Sequence, residues 1–534
     1  MLVSSVLNAE YDIAIVGSGF AGSLLAMIAR RLGRSVALIE KGTHPRVVIG
    51  ESSTPLANLI LEELCTRYDL PALKSLSKWG SWQQAHPEIA CGLKRGFTFH
   101  HHYLGDAHPP DPERKDQLLV AASPHNRISD THWFRADFDH FLVQQAQELG
   151  VDYIDRVSLN RFEDCGDIVR LQGERDGNPV KFRARFVVDA TGPRGFLHRA
   201  LALEEAALPD LPATESLYSH FTGVGRLEDG PFRRCDSEPP YPIDDAAVHH
   251  VFPGGWIWVL HFNNGWTSAG VAATSKIAAQ FRFVEGAQAW NRLLDEIPAL
   301  KAQFADAHAE RPFTHMPRLA FRSSAVAGER WTMLPSAAGF VDPLLSTGFP
   351  LTLLGVSRLA QILENHWTSG RLPEELKNYA AQTDRELLAT ARLIAALYAN
   401  MDRFDVFVAL SLLYFAAASF AESARRLGKP ELAPSFLLCT HPSFASACER
   451  LCERARVNLT DTEANDLIAE IYAVIEPINI AGLARPERRN WYQVEADDLL
   501  IAAGKLGATR DEVHALFEQC GFYPEPVANP QLTP

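Results

Sequence analysis

Residues 92–103 read GLKRGFTFHHHY: a lysine, Lys94, at the mouth of a strand, with aromatic rings and three histidines behind it. At a surface such a lysine is a solvated charge. Withdrawn from water, its ammonium is disfavoured and its pKa falls, leaving a donor or a nucleophile that works near neutral pH. The period of a strand puts His100 and His102 on one face and His101 on the other. With His108 they suggest a metal set, but no cysteine or acidic cluster completes it. The histidines therefore read as pocket lining or exposed strand positions.

A second chemical signal opens the chain, in YDIAIVGSGFAGSLLAMIARRLGRSVALIEKG. Ile13 to Val16 form a buried-type apolar strand. Gly17, Gly19 and Gly22 follow in G-x-G-x-x-G spacing, and the apolar residues from Leu24 to Leu32 recur at helical spacing. Gly33 stops the helix, and a second strand ends on Glu40. Gly17 permits the turn, Gly19 lets the backbone approach a pyrophosphate, and Gly22 lets helix and strand pack closely. The helix start, with Phe20 and Ala21, offers amide donors to phosphate. Glu40, with Lys41 after it, stands where a carboxylate accepts ribose hydroxyls, which favours FAD or NAD over NADP.

Two later stretches have the same strand-to-loop character. FRARFVVDATGPRGFLHR follows a hairpin turning at RDGNP and ends its strand on Asp189 and Ala190. WTMLPSAAGFVDPLLSTGFPLTLLG reads as strand, loop with Asp342-Pro343, and a helix start at Ser346-Thr347-Gly348, again an anion site. Arg135 begins a helix in THWFRADFDHFLVQQAQELG.

The elements that hold these residues need a large frame, and 534 residues supply more than one simple core. Apolar residues make up 47% and charged residues 22%, as in globular cytosolic chains. A net charge of −14 argues against nucleic-acid binding, and means that an anionic cofactor is held by local devices. The cysteines are scattered except Cys448 and Cys452, which read as ordinary helix packing. No signal pattern opens the chain, and cytoplasmic location is expected. The apolar run at 406–421 is short for a bilayer span and reads as a buried helix. From about residue 361 the pattern is helical, with Tyr398, Phe404, Phe407, Tyr414 and Phe415 either in the core or capping a cavity. The proline-rich tail 523–534 is expected to fray.

Residues 10–360 resemble the FAD-dependent monooxygenase superfamily, and within it the flavin-dependent halogenases. GESSTP at 50–55, including Glu51 and Ser52, resembles their Gly-Glu-x-x-x-Pro stretch. GGWIWVLHF at 254–262 resembles their W-x-W-x-I-P segment, with Trp256 and Trp258 kept and Leu260-His261 in place of Ile-Pro. DPLLSTG at 342–348 resembles their halide-holding loop. Their essential lysine stands five residues before a strand Phe, as Lys94 does before Phe99.

The resemblance implies an α/β fold: a Rossmann-type FAD-binding domain with an inserted β-sheet substrate domain and an all-helical C-terminal region. The expected division is 1–360 (nucleotide-binding parts about 10–85, 130–205 and 325–360; substrate-side sheet about 86–129 and 206–324) and 361–534. It assigns Gly17, Gly19, Phe20, Ala21, Gly22, Glu40, Lys41, Glu51, Ser52, Arg135, Asp189, Ala190, Asp342 and Gly348 to FAD. Ser346, Thr347 and Gly348 go to chloride or bromide, and Phe99, Trp256 and Trp258 to the tunnel. FADH2 and oxygen would oxidise halide to hypohalous acid, which Lys94 activates by hydrogen bonding or as a haloamine. Leu345, where tryptophan halogenases have glutamate, argues for a phenol, pyrrole or carrier-bound ring. A separate NAD(P)H-dependent flavin reductase is the implied partner. The rival readings are a flavin hydroxylase or reductase on the same fold, and a flavin-binding protein without turnover.

Overall fold

The computed structural model describes residues 10–105, 111–229 and 238–524. The chain opens with β1 (Glu10–Val16), the glycine turn, α1 (Phe20–Arg31) and β2 (Val36–Ile39). Thr54 caps α2 (Pro55–Arg67) by accepting from the Ala57 amide, with Pro55 at its first turn, where a missing N–H costs nothing. Next come β3 (Cys91–Lys94), β4 (Gly96–His101), β5 (Gln117–Ala121) and β6 (Asp130–Trp133), then α3 (Arg135–Glu148) and β7 (Asp152–Ile154). β8 (Val157–Asp164), β9 (Val169–Arg175) and β10 (Asn178–Asp189) follow. Arg175 pairs with Asn178, so the β9–β10 turn is Asp176-Gly177, with φ of 51° and 76°. Both angles are positive, as a two-residue turn matched to strand twist requires.

β11 (Thr214–Thr222), β12 (Ala247–Phe252), β13 (Gly255–His261) and β14 (Thr267–Thr274) continue the chain, then β15 (Trp331–Met333). The long helices α4 (Gly348–His366), α5 (Leu372–Ala399), α6 (Phe404–Arg426) and α7 (Asp461–Ile475) come last, with a two-residue strand β16 (Trp491–Tyr492) among the later elements.

Two sheets organise these pieces. The seven-stranded sheet runs β7–β2–β1–β10–β9–β8, with β15 added to β10. β1, β2 and the end of β10 are parallel, and residues 13–16, 36–39 and 186–188 within them are buried on both faces and apolar. The nine-stranded sheet contains the run β11–β14–β13–β12–β4–β5–β16. β4 joins β12 in parallel and β5 in antiparallel fashion. β3 and β6 form their own antiparallel pair.

The C-terminal region is helical, with one departure: β16 pairs in parallel with Leu119-Val120 of β5. α4 begins at the 342–348 loop and runs on through residue 360. α6 is long and apolar enough to cross a membrane by length and composition, and 83% of its most apolar window is buried inside the protein. Its aromatic face packs on β4: the Phe97 ring lies 5.1 Å from Phe415, and Phe99 lies 5.9 Å from Phe407. Cys448 and Cys452 are free thiols. His108 and residues 525–534 of the tail lie outside the described residues.

Candidate active site

The glycine turn is crowded in the way its spacing predicts. A Cβ on Gly17, whose φ is 103°, would stand 2.6 Å from the Ala190 carbonyl oxygen. One on Gly22 would stand 2.0 Å from the Gly17 oxygen, and one on Gly19 3.3 Å from an Arg135 nitrogen. The first amides of α1 have no partner inside the helix, and neither a side-chain cap nor an acidic first-turn residue competes for an anion there. Phe20 stacks on Phe349 at 4.9 Å, and Ala21 is buried beside it.

Glu40 Oε2 accepts from the amide and hydroxyl of Ser18, both at 2.9 Å, and Oε1 accepts from the Gly42 amide at 2.9 Å. Burial opposes its charge, but Arg46 and these donors outweigh it and hold the carboxyl below the usual range. Lys41 is exposed. Arg135 is not a solvated helix-end charge. It forms a two-point ion pair with Asp139, at 2.8 and 2.7 Å, and donates to the Gly50 carbonyl at 2.9 Å. It thus ties the 50–52 stretch to the start of α1. Asp189 turns both oxygens onto its own loop: Oδ1 accepts from the amide and hydroxyl of Thr191, and Oδ2 from the Leu197 amide at 2.6 Å. Ala190 supplies backbone against Gly17. The glycine turn, the open helix start and Glu40 fit a dinucleotide.

Lys94 ends β3 and is fully buried. Its Nζ donates to Ser52 Oγ at 2.8 Å and to the Ser53 carbonyl at 2.5 Å, and stands 3.9 Å from the centre of the Phe97 ring. Its strand partner is Asp130, the first residue of β6. Burial drives Lys94 down to about 7, and the Asp130 charge limits the fall. Burial likewise drives Asp130 up to about 7, with Lys94 opposing. Glu51 is also buried, and its Oε1 meets His220 Nε2 at 2.8 Å.

The 342–348 loop approaches from the other side. Leu345 and Ser346 take positive φ, 63° and 55°, conformations that cost energy for residues with side chains and that cluster at functional sites. Ser346 Oγ donates to Ser52 Oγ at 3.1 Å. Thr347 caps α4 without a side-chain bond, and a Cβ added at Gly348 would meet open space. The loop therefore offers amides and a helix start to an anion. Asp342 does not face that opening. Its Oδ1 accepts from the Leu344 amide and Trp256 Nε1, and its Oδ2 from the Tyr398 hydroxyl at 2.9 Å. Burial pushes its carboxyl up to about 6.

Trp256 and Trp258 lie side by side on β13, with ring centres 5.7 Å apart, both buried. Phe99 stacks on His249 at 4.3 Å, and His249 lies 5.2 Å from Trp256. Burial and the nearby Lys94 charge push His249 down to about 3, so this ring is neutral. The three histidines after Phe99 are not exposed strand positions. All are buried, His101 with Nε2 at 3.0 Å from the Met401 carbonyl oxygen and its ring over Phe404, and His102 at 2.8 Å from His250. For His101 the cause is the helical region, whose Met401 and Phe404 meet it, whereas His100 and His102 lie on the opposite face beside His250 of β12.

A cavity of about 210 Å³ opens beside this cluster. Its wall includes Phe97, Asp130, Pro350, Tyr414, Phe415 and Arg426. Tyr414 and Phe415 therefore serve the cavity as well as the core. Asp130 and His249 were missed in the sequence because strand pairing that no local pattern reveals sets Asp130 opposite Lys94 and His249 beside Phe99.

The fold and this arrangement define a class. Residues 130–408, just over half of the chain, match the tryptophan halogenase family model, and residues 15–54 match an NAD(P)-binding Rossmann-like domain. The chain belongs to the tryptophan halogenase family. It is similar to the tetracycline 7-halogenase of Kitasatospora aureofaciens, with 32% identity over 64% of this chain and 61% of that protein. It is also similar to the monodechloroaminopyrrolnitrin halogenase PrnC of Pseudomonas fluorescens, with 29% identity over 71% of this chain and 66% of that protein. The chain thus spans less than two thirds of the length of these relatives. Among solved structures it resembles the halogenase PltM in complex with phloroglucinol and FAD. The TM-score is 0.77 at 25% identity, covering 90% of this chain and 99% of that one.

Proposed function

We propose that this chain is a flavin-dependent halogenase of electron-rich aromatic rings, of phenol or pyrrole type, free or carrier-bound. The observation that carries the reading is the buried Lys94 ammonium, joined through the Ser52 hydroxyl to Ser346 of the helix-start loop, with its neighbours Phe97 and Asp130 on the wall of a cavity.

FAD fits the glycine turn, with Gly17, Gly19, Phe20, Ala21 and Gly22 at the pyrophosphate, Glu40 and Lys41 toward the ribose, and Glu51, Ser52, Arg135, Asp189, Ala190, Asp342 and Gly348 framing the site. Reduced and with oxygen, this cofactor supplies the two-electron oxidation of chloride or bromide to hypohalous acid. The helix start at Thr347 and Gly348 holds the halide, beside Ser346, whose own amide donates to the Pro343 carbonyl at 3.0 Å. Lys94 then holds the hypohalous acid by a hydrogen bond from its ammonium and makes its halogen more electrophilic. Two acceptors and the face of Phe97 around Nζ suit an ammonium rather than an amine. Phe99, Trp256 and Trp258 wall the passage and exclude water. One glycine unit implies that a separate NAD(P)H-dependent reductase delivers reduced flavin.

The test is turnover with a supplied reductase, bromide or chloride, and a panel of phenols and pyrroles, read by mass spectrometry. The reading predicts a product with the halogen isotope pattern. A hydroxylated product formed without halide would replace it with the monooxygenase reading.

A further inference from the structure

Asp130 is more than a counter-charge. It stands across the β3–β6 pair from Lys94, is 5% exposed, and lies on the wall of the 210 Å³ cavity. Its Oδ1 accepts from Asn58 Nδ2 at 2.8 Å. Its Oδ2 is buried and accepts no hydrogen bond among the described residues. A buried carboxylate oxygen without a donor is costly, and a ligand that brings an O–H removes that cost. The other walls suit a ring: Phe97, Tyr414 and Phe415 are aromatic, and Pro350 is apolar.

We propose that Asp130 Oδ2 accepts the O–H of a phenolic substrate and takes its proton as the carbon–halogen bond forms. This rests on the halogenase reading and assigns the substrate class and a catalytic base to the same site. The ring carbon attacks the halogen of hypohalous acid, and the halogen–oxygen bond breaks with both electrons going to oxygen. The departing hydroxide takes a proton from the Lys94 ammonium and leaves as water. The phenolic proton moves to Asp130, so the ring passes through a neutral halogenated dienone. The ring C–H proton then returns through water to the Lys94 amine, and Asp130 gives its proton back to the oxygen. Both residues end as they began, and the net change is phenol plus hypohalous acid to halophenol plus water.

The groups facing Asp130 suit this role. Lys94 comes from β3 and Asn58 from α2, while Tyr414, Glu422 and Arg426 come from α6. Glu422 and Arg426 form an ion pair at 2.7 Å, so their effects on Asp130 oppose each other. Burial brings the carboxyl up to about 7, near the pKa at which a general base is most effective in neutral solution.

The experiment compares wild type with Asp130→Asn on phenols of graded acidity, with FAD, reductase and bromide present. Thermal midpoint and retained FAD check that the variant is folded. Hypohalous acid is read separately, as oxidation of added methionine. For phenols that are neutral at the assay pH, the variant should lose about 100-fold or more in kcat, the range of general-base effects. The deficit should shrink sharply for phenols already ionised, leaving only the uniform loss that follows because Asp130 no longer supports the Lys94 ammonium, while methionine oxidation stays at the wild-type rate. An equal deficit across the panel would mark a structural role and overturn the proposal, as would no deficit. Absence of halogenated product from wild type would instead overturn the halogenase reading beneath it.

Discussion

Lys94 and Ser346, from distant parts of the chain, meet on one atom: Nζ of Lys94 lies 2.8 Å and Oγ of Ser346 3.1 Å from Oγ of Ser52. That hydroxyl is the joint between the lysine and the helix-start loop. Removing it with Ser52→Ala takes one hydrogen bond from a buried charge, a loss of about 1.5–3 kcal/mol. The ratio of halogenated product to flavin oxidised should fall roughly tenfold to a hundredfold. Product and peroxide, measured together, give that ratio, and an unchanged value would separate the serine from the reaction.

The acid–base pair sets a pH dependence. Lys94 is lowered to about 7, mainly by burial, so its ammonium is lost as pH rises through neutrality. Asp130 is raised to about 7, mainly by burial, so its carboxylate is lost as pH falls through the same region. Activity needing ammonium and carboxylate together is a bell with its maximum near pH 7, whose limbs belong to the pair. A pH series of kcat for product, with flavin reduction kept in excess, checks this. Activity that climbs to a plateau above pH 9 would refute the ammonium role.

Gly22 is where the nucleotide turn tolerates least. Its Cβ would lie 2.0 Å from the Gly17 oxygen and 3.1 Å from Ala190 Cβ, both parts of the packed core. Gly22→Ala should cost about 1–3 kcal/mol of stability through overpacking. Bound FAD should fall with it. Thermal unfolding and flavin absorbance of the purified variant report both, and full FAD retention would place the cofactor elsewhere.

Much of this was legible in the residues. The glycine spacing, the β9–β10 turn and the helical C-terminal region follow from local pattern, where sterics and period decide. Lys94 was legible as a residue type at a spacing, and its environment was not. Asp130 reaches it by strand register and Ser52 by the fold of a whole domain, while the parallel pairing of β4 with β12 sets His249 beside Phe99. The burial of His101 follows from packing of the helical region on its face of the sheet, and His100 and His102 are buried on the opposite face beside His250, neither of which strand alternation encodes. β16 was invisible for the same reason: two residues acquire strand geometry only from the edge of β5 they meet.

The most direct test of the central claim is Lys94→Met, which keeps a long buried side chain and removes the amine. With reductase, FAD, bromide and a phenol, the variant should oxidise reduced flavin at the wild-type rate and release peroxide or hypohalite. Halogenated phenol should drop by at least about 1,000-fold, the upper range for a single acid–base or electrostatic group. Halogenated phenol formed at the wild-type rate would contradict the account.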